Sequence, residues 1–192
     1  MISRRSMMLA GGALPLLLAA CDTIVPRASG PLPEDGTIDV MSLLSARPDT
    51  KIFTDALKRS GLAERITLAN GPATLFVPND TTIEALPPAS RAILTDPKAD
   101  QAKLREAVGS LIASGQLRLE SIAVRNGQIN TWAPGHQLRV TGAPAPTAKI
   151  QRAVLANGRT TVTGPVAGFA RADILGNNGV IHILDTALLP TS

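Results

Sequence analysis

The sequence has little of the chemistry that most enzymes and metal sites need. Cysteine occurs once and histidine twice in 192 residues, and tyrosine is absent. A single cysteine excludes an internal disulfide. With one tryptophan and three phenylalanines, the chain lacks the aromatic platforms that bind single-stranded nucleic acid. The motifs H-E-x-x-H, C-x-x-C and G-x-S-x-G and a phosphate-binding loop are also missing, so we expect no metal, no cofactor and no enzyme activity.

Charge of one sign is not in large excess either. The formal net charge is +4, from 19 Lys and Arg against 15 Asp and Glu. Arg4 and Arg5 lie in an N-terminal segment that we expect to be removed, which leaves 17 against 15, a net charge of +2. A small and dispersed excess is not the footprint of a nucleic-acid-binding protein, so no such partner is expected.

Residues 1–20 have the pattern of an export signal. The stretch from Met7 to Ala20 carries no charge and is too short to span a bilayer comfortably, which is typical of a signal peptide. Leu18-Ala19-Ala20-Cys21 resembles a bacterial lipobox, and a lone thiol behind an apolar leader suits acylation. We therefore expect a lipid on Cys21 that anchors the protein in the bacterial cell envelope, facing the periplasm or the exterior.

Two features around this signal concern the export route and the tether. Ser3-Arg4-Arg5-Ser6-Met7-Met8 resembles a twin-arginine signal, with Met7 where phenylalanine is favoured, and it fits an ordinary basic n-region equally well.

Residues 21–37 are rich in proline and glycine and poor in large apolar side chains. This composition predicts a linker, followed by one domain over residues 38–192.

Two stretches far apart in the chain organise the expected domain. Residues 73–86, Ala-Thr-Leu-Phe-Val-Pro-Asn-Asp-Thr-Thr-Ile-Glu-Ala-Leu, predict a short strand, a turn bounded by proline and the start of a helix. Asn177-Asn178-Gly179 is a turn signal, because glycine accepts a positive φ. The apolar run that follows, interrupted by His182, predicts a buried strand.

Together these stretches resemble the paired signature motifs of the fasciclin domain. The residues that fit the early motif are Thr74, Phe76, Pro78, Asn79, Asp80 and Leu86. Those that fit the late motif are Asn178, Gly179, Ile181, His182, Asp185, Leu188 and Pro190. The resemblance covers roughly Ile38 to Pro190 and implies an α+β fold, in which several helices pack on a twisted, antiparallel-rich β wedge.

Local patterns predict further elements. Helices are expected over residues 40–46, from Asp49 or Thr50 to Ser60, from a capping box at residues 81–84, and over residues 99–113. The last of these is amphipathic, and its polar face mixes both charge signs and is not rich in Lys and Arg, which favours core packing over membrane binding. Short strands are expected at residues 128–131, 138–141, 149–152 and 159–163, with a hairpin at Asn157-Gly158.

Four side chains are candidates for chemistry. We expect His182 to be a neutral, hydrogen-bonded ring in the core, and His136 to lie on an exposed turn. Asp80 and Asp185 have turn or cap roles in one interpretation and form a catalytic carboxylate pair in the other. A Tyr-His pair that is discussed as a receptor site in animal fasciclin proteins aligns with Gly109 and Ser110, so integrin binding is not transferred to this chain.

These observations favour a non-enzymatic, membrane-anchored interaction or adhesion module outside the cytoplasm. Its adhesion role comes from the family resemblance, and the sequence identifies neither the partner nor the binding residues. The alternative is a binding protein for an apolar small molecule or lipid in the cell envelope, since an apolar pocket between wedge and helices would suit such a ligand.

Overall fold

The computed structural model describes residues 31–144 and 147–189. This part of the chain contains six α-helices: α1 (Val40–Ser45), α2 (Lys51–Arg59), α3 (Asp80–Glu84), α4 (Pro88–Thr95), α5 (Gln101–Gly109) and α6 (Leu119–Val124). It also contains seven strands: β1 (Ala73–Pro78), β2 (Ile112–Ser114), β3 (Gln128–Asn130), β4 (His136–Thr141), β5 (Lys149–Ala156), β6 (Arg159–Gly176) and β7 (Gly179–Leu184). The expected α+β class is confirmed.

The strands form one seven-stranded sheet in the order β2-β1-β7-β6-β5-β4-β3. Only β1 and β7 are parallel among these neighbours, and every other pairing is antiparallel. An antiparallel bridge between Ala113 and Thr131 joins the two edge strands, and the Trp132 N–H donates to the Ile112 carbonyl at 2.8 Å. The sheet therefore curves back on itself until its edges meet.

The pairing of β1 with β7 brings the two signature motifs side by side. Their register runs from Ala73 opposite Gly179 to Pro78 opposite Leu184, and both strands are buried along their whole length. A Cβ on Gly179 would lie 2.0 Å from the Ala73 carbonyl oxygen. Gly179 is not among the glycines with a positive φ, so the close approach of two strands, and not the turn, requires a glycine here.

The helices cover the sheet around this strand pair. Helix α2 packs against α1, α3, α4 and α5. Its buried Phe53 and Leu57 belong to the same core as Phe76, Leu104 and Ile181. Among the described residues, no helix combines the length and the apolar character needed to cross a membrane.

Several expected boundaries are corrected. Helix α5 ends at Gly109 and not at residue 113, because Ile112 pairs with Leu75 of β1 as strand β2. The cap of α3 is Asn79, whose side chain accepts the Thr82 N–H at 2.9 Å, so Thr81 does not form the expected capping box. Strand β6 extends far beyond residues 159–163, since it pairs with β5 first and with β7 afterwards.

The end of the predicted linker is attached to the domain. Asp35 forms a parallel bridge with Leu175, and the Gly36 N–H donates to the Leu175 carbonyl at 3.2 Å. The Glu34 carboxylate contacts both Arg47 and Arg171. These contacts attach residues 34–37, the end of the predicted linker, to the domain. The leader, the predicted lipidation site Cys21 and Pro190 lie outside the described residues.

Candidate functional site

His182 lies in the centre of the fold with none of its surface exposed. Its Nε2–H donates to the Leu117 carbonyl at 2.7 Å, and Nδ1 accepts the Asp173 N–H at 3.2 Å. Burial lowers the pKa of His182, while the Leu117 bond and the Asp173 carboxylate act in the opposite direction. A carbonyl can only accept and an N–H can only donate, so the ring is neutral, as expected.

Thr74 of the early motif fixes the same loop that His182 contacts. Its hydroxyl donates to the Gly115 carbonyl at 2.6 Å and accepts the Leu117 N–H at 2.9 Å. Asp173, at a bulge of β6 with a φ of 56°, accepts the Leu119 N–H at 3.0 Å. Both motifs therefore hold the segment that leads into α6.

The two candidate carboxylates accept hydrogen bonds from different backbone N–H groups. Asp80 Oδ1 accepts the Ile52 N–H at 2.9 Å and Oδ2 accepts the Lys51 N–H at 3.1 Å, so Asp80 caps α2 from another element. Asp185 Oδ1 accepts the Gly168 N–H at 2.6 Å. The cavity beside Asp185 is lined by Thr82, Ala85, Leu86, Pro165, Thr186 and Ala187, and Asp80 does not reach it. This arrangement supports the cap and turn roles.

Asn178 has a similar structural role. Its side-chain oxygen accepts the Val40 N–H at 2.8 Å, and its Nδ2 donates to the Ile66 carbonyl at 3.0 Å. One buried amide thereby joins the start of α1 to the segment before β1. Thr74, Asp80, Asn178 and His182 thus all bond to the protein's own backbone.

A groove beside Trp132 carries exposed charged and aromatic groups. It has a volume of about 490 Å³ and is called the Trp132 groove here; its lining residues are Leu62, Arg65, Ala102, Arg105, Glu106, Gly109, Trp132, Ala133 and Pro134. The Arg65 guanidinium lies over the Trp132 ring, 5.0 Å from its centroid, in cation–π geometry. The indole Nε1–H donates to Ser114 Oγ at 3.0 Å, which fixes the ring.

A chain of hydrogen bonds, named the His136 network here, runs from this groove into the interior. His136 Nε2 lies 2.9 Å from Glu106 Oε1, and Arg152 Nη2 donates to His136 Nδ1 at 2.9 Å. Arg152 Nη1 donates to the Leu189 carbonyl at 3.1 Å. His136 is thus half-buried at the start of β4, which corrects the expectation of an exposed turn.

Only 4% of the surface of Arg152 is exposed. The His136 network supplies hydrogen-bond partners to this buried charge. Burial lowers the pKa of Arg152, and the Glu106 carboxylate raises it. An arginine can only donate, so Nδ1 of His136 accepts and the ring proton is on Nε2, facing Glu106. The side chains of the His136 network come from α5, β4 and β5. Because these elements are far apart in the sequence, the local pattern of one segment does not indicate the network.

Of the two positions that align with the Tyr-His pair, Gly109 lines the Trp132 groove. The Gly109 carbonyl accepts the N–H groups of Trp132 and Ala133, at 3.1 and 3.2 Å. Ser110 is buried and its hydroxyl donates to the Ala107 carbonyl at 2.7 Å. Neither position offers a side chain to a partner. Within the described ranges, no group of three or more His, Cys, Asp or Glu residues could hold a metal ion.

Comparisons with known proteins address the fold. The profile of the family described as Fasciclin domain matches residues 48–190. A solved structure of a FAS1 domain pair from the insect cell adhesion molecule Fasciclin I is similar to this chain, with a TM-score of 0.61 and 17% sequence identity. The alignment covers 81% of this chain and 52% of that one, so the present chain spans about half of the pair. No curated protein matches the sequence.

Proposed function

Because the chain belongs to the fasciclin domain family, we propose that it is a non-enzymatic interaction module, anchored to an envelope membrane through a lipid on Cys21. The observation that carries this proposal is how the polar groups are used. The signature residues Thr74, Asp80, Asn178 and His182 bond to backbone groups of the domain, so the motifs serve the fold. A partner would then be bound by other residues on the surface of the domain.

The Trp132 groove is the surface that suits a partner best. Tryptophan and arginine are enriched at the residues that dominate binding energy in protein interfaces. Here Trp132 is held by hydrogen bonds, and the exposed side chains of Arg65 and Arg105 stand beside it. The description of Fasciclin I as a cell adhesion molecule supports adhesion as the class of interaction.

The experiment uses the acylated full-length protein, cross-linked to its neighbours in intact cells and purified from solubilised envelope. Wild type should recover a cross-linked species that the double variant Arg65→Glu/Arg105→Glu loses. The matched control is Arg139→Glu, at an exposed arginine of β4 outside the groove. Equal recovery from the double variant would contradict a role for the groove, and no species above background from wild type would contradict the interaction module.

The lipid anchor is tested separately at Cys21. Cys21→Ala should move the protein out of the membrane fraction, and mass spectrometry of the wild-type N-terminus should show a diacylglycerol on the thiol. The lipid supplies the membrane attachment in this proposal. An unacylated protein that stays membrane-bound through an alkaline wash would contradict this part of it.

A groove between α2 and α4 favours the alternative, a binding protein for an apolar small molecule or lipid. It has a volume of about 500 Å³, and Ile52, Leu94 and Pro97 contribute apolar surface to it. Cavities of this size hold drug-sized ligands in other proteins. Organic extraction of the purified acylated protein tests the alternative: a stoichiometric pigment or free lipid would favour it, and none would count against it.

A further inference from the structure

We propose that the Trp132 groove binds a uronic acid residue of an acidic polysaccharide, with the guanidinium groups of Arg65 and Arg105 on the sugar carboxylate. This inference rests on the proposed function and names the chemistry of the partner. It depends on three properties of the groove: the free donors, the orientation of Arg65 and the composition of the walls.

The donors are two guanidinium groups on one groove. Arg105 Nε donates to the Ser60 carbonyl at 3.2 Å, which leaves its Nη groups for a ligand. Neither Arg65 nor Arg105 has a carboxylate partner in residues 31–144 and 147–189. Guanidinium N–H groups match a carboxylate in bidentate geometry, and such charged pairs are roughly twice as strong as neutral hydrogen bonds.

The contact with Trp132 positions Arg65. The Cζ atom of its guanidinium lies over the indole ring, 5.0 Å from the centroid, which holds the charge at the groove in cation–π geometry. Because the indole is itself held by Ser114, less conformational freedom is lost when a ligand binds. Because guanidinium groups bind carboxylates in a planar, bidentate geometry, two of them on one groove favour a carboxylate as the ligand.

The walls fit a sugar ring next to that anion. Ala102 and Pro134 are exposed and present apolar surface, which suits the C–H face of a pyranose. Glu106 uses Oε1 for His136, and its other oxygen can accept from sugar hydroxyl groups. Because the net charge of the protein is small, an acidic polysaccharide would be held by local contacts with single carboxylates and not by the charge of the whole surface.

Two other occupants fit less well. Extended peptides gain affinity from the free edge of a sheet, and the edges beside this groove are used by the Ala113–Thr131 bridge and by the Trp132 bond to Ile112. A phosphate carries up to two negative charges. The neighbouring Glu106 carboxylate would therefore repel a phosphate more strongly than it repels the single charge of a sugar carboxylate.

The test uses the fluorescence of the full-length chain, because Trp132 is the only tryptophan and tyrosine is absent. Trigalacturonate is titrated, with its methyl ester, inorganic phosphate and triglutamate as comparison probes. We expect a saturable change with trigalacturonate and none with the ester. No saturable change up to about 10 mM, or equal responses to the ester, to phosphate or to triglutamate, would overturn the inference.

Conservative variants identify the donors. Arg65→Lys and Arg105→Lys keep the charge and lose the bidentate geometry, so each should weaken trigalacturonate binding about tenfold or more. Arg139→Lys is the control and should bind like wild type. Unchanged binding in both groove variants would overturn the inference even if wild type binds.

The two proposals can fail separately. If cross-linking still depends on the groove while trigalacturonate does not bind, the uronate inference is wrong and the interaction module stands. If trigalacturonate binds through Arg65 and Arg105 while the cross-linked species is independent of them, the groove is a sugar site and not the surface that holds the envelope partner.

Discussion

His182 and Leu117, 65 residues apart in the chain, are joined by a 2.7 Å hydrogen bond between the imidazole Nε2 and the carbonyl oxygen. Thr74 holds the N–H of the same Leu117. The parallel pair β1–β7 and the loop before α6 are therefore one connected unit, and the signature residues maintain it.

We predict that His182→Ala destabilises the domain by about 2–4 kcal/mol, because it leaves the Leu117 carbonyl unpaired and opens a cavity beside Phe76, whose ring stacks on His182 with 5.2 Å between the centroids. Urea unfolding measures the change. Val124→Ala is the control, at a side chain that is 83% exposed, and should change stability by less than about 0.5 kcal/mol. A His182 variant as stable as wild type that no longer binds a partner would contradict the structural role.

The lowered pKa of His182 also predicts a pH dependence. The unfolded state takes up a proton near the ordinary value of 6.5, and the folded state does so only at lower pH. Stability from this group is therefore complete above 6.5 and falls as pH falls below it, by up to about 1.4 kcal/mol per pH unit. Urea unfolding between about pH 7 and 5 should give a shallower slope for His182→Gln than for wild type; equal slopes would contradict the assignment.

The cap of α2 gives a third prediction. Asp80→Ala removes the acceptor for two N–H groups and should cost about 1 kcal/mol, within the 0.5–2 kcal/mol range of helix caps. Asp49→Ala is the control, because the sequence suggested Asp49 as a cap and the structure places its carboxylate near Arg47 instead. A larger loss of stability for Asp49→Ala than for Asp80→Ala in urea unfolding would contradict the assignment.

Asp80 shows how much of the fold the sequence could predict. Its motif was visible, because a strand, a proline and a helix start lie within a few residues. The partners of Asp80 were not visible, because Lys51 and Ile52 lie 29 and 28 residues away in the chain and meet it only in the folded structure. The same limit explains α5: the apolar period continues past Gly109, but the pairing of Ile112 with Leu75 ends the helix.

The site was less predictable than the fold. His136 follows a Pro-Gly turn signal, and local reasoning alone gives an exposed residue. The contacts with Glu106 and Arg152 depend on the register of β4 and β5, in which His136 pairs with Val154. Trp132 and Arg65 likewise meet only through the bridge that closes the sheet. The hydrophobic periodicity of a segment predicts which of its faces is buried. It does not predict which side chains from distant segments contact that face.

The N-terminal contacts give a fourth prediction. The composition of the linker suggests that residues before Ile38 add nothing to stability, and the contacts predict that they do. A chain that begins at Ile38 lacks the pairing with Leu175 and the Glu34 contacts, and its melting temperature should be lower by several degrees than that of a chain beginning at Pro31. Glu34→Gln should account for only about 1 kcal/mol or less, since the Glu34 side chain is partly buried but still in contact with solvent and ion pairs in contact with water contribute little. Equal melting temperatures for the two chains would contradict attachment of this segment.

The last prediction concerns the His136 network. His136→Ala leaves Nη2 of the buried Arg152 without its acceptor, and a buried donor on a charged group is costly to leave unsatisfied, so we expect a loss of about 3 kcal/mol in urea unfolding. Replacement of a buried charge by an apolar side chain of similar volume is often neutral or stabilising. The double variant His136→Ala/Arg152→Met should therefore be more stable than His136→Ala alone. Arg139→Met, at an exposed position, should not rescue His136→Ala, and a double variant no more stable than His136→Ala would show that Arg152 does not depend on His136.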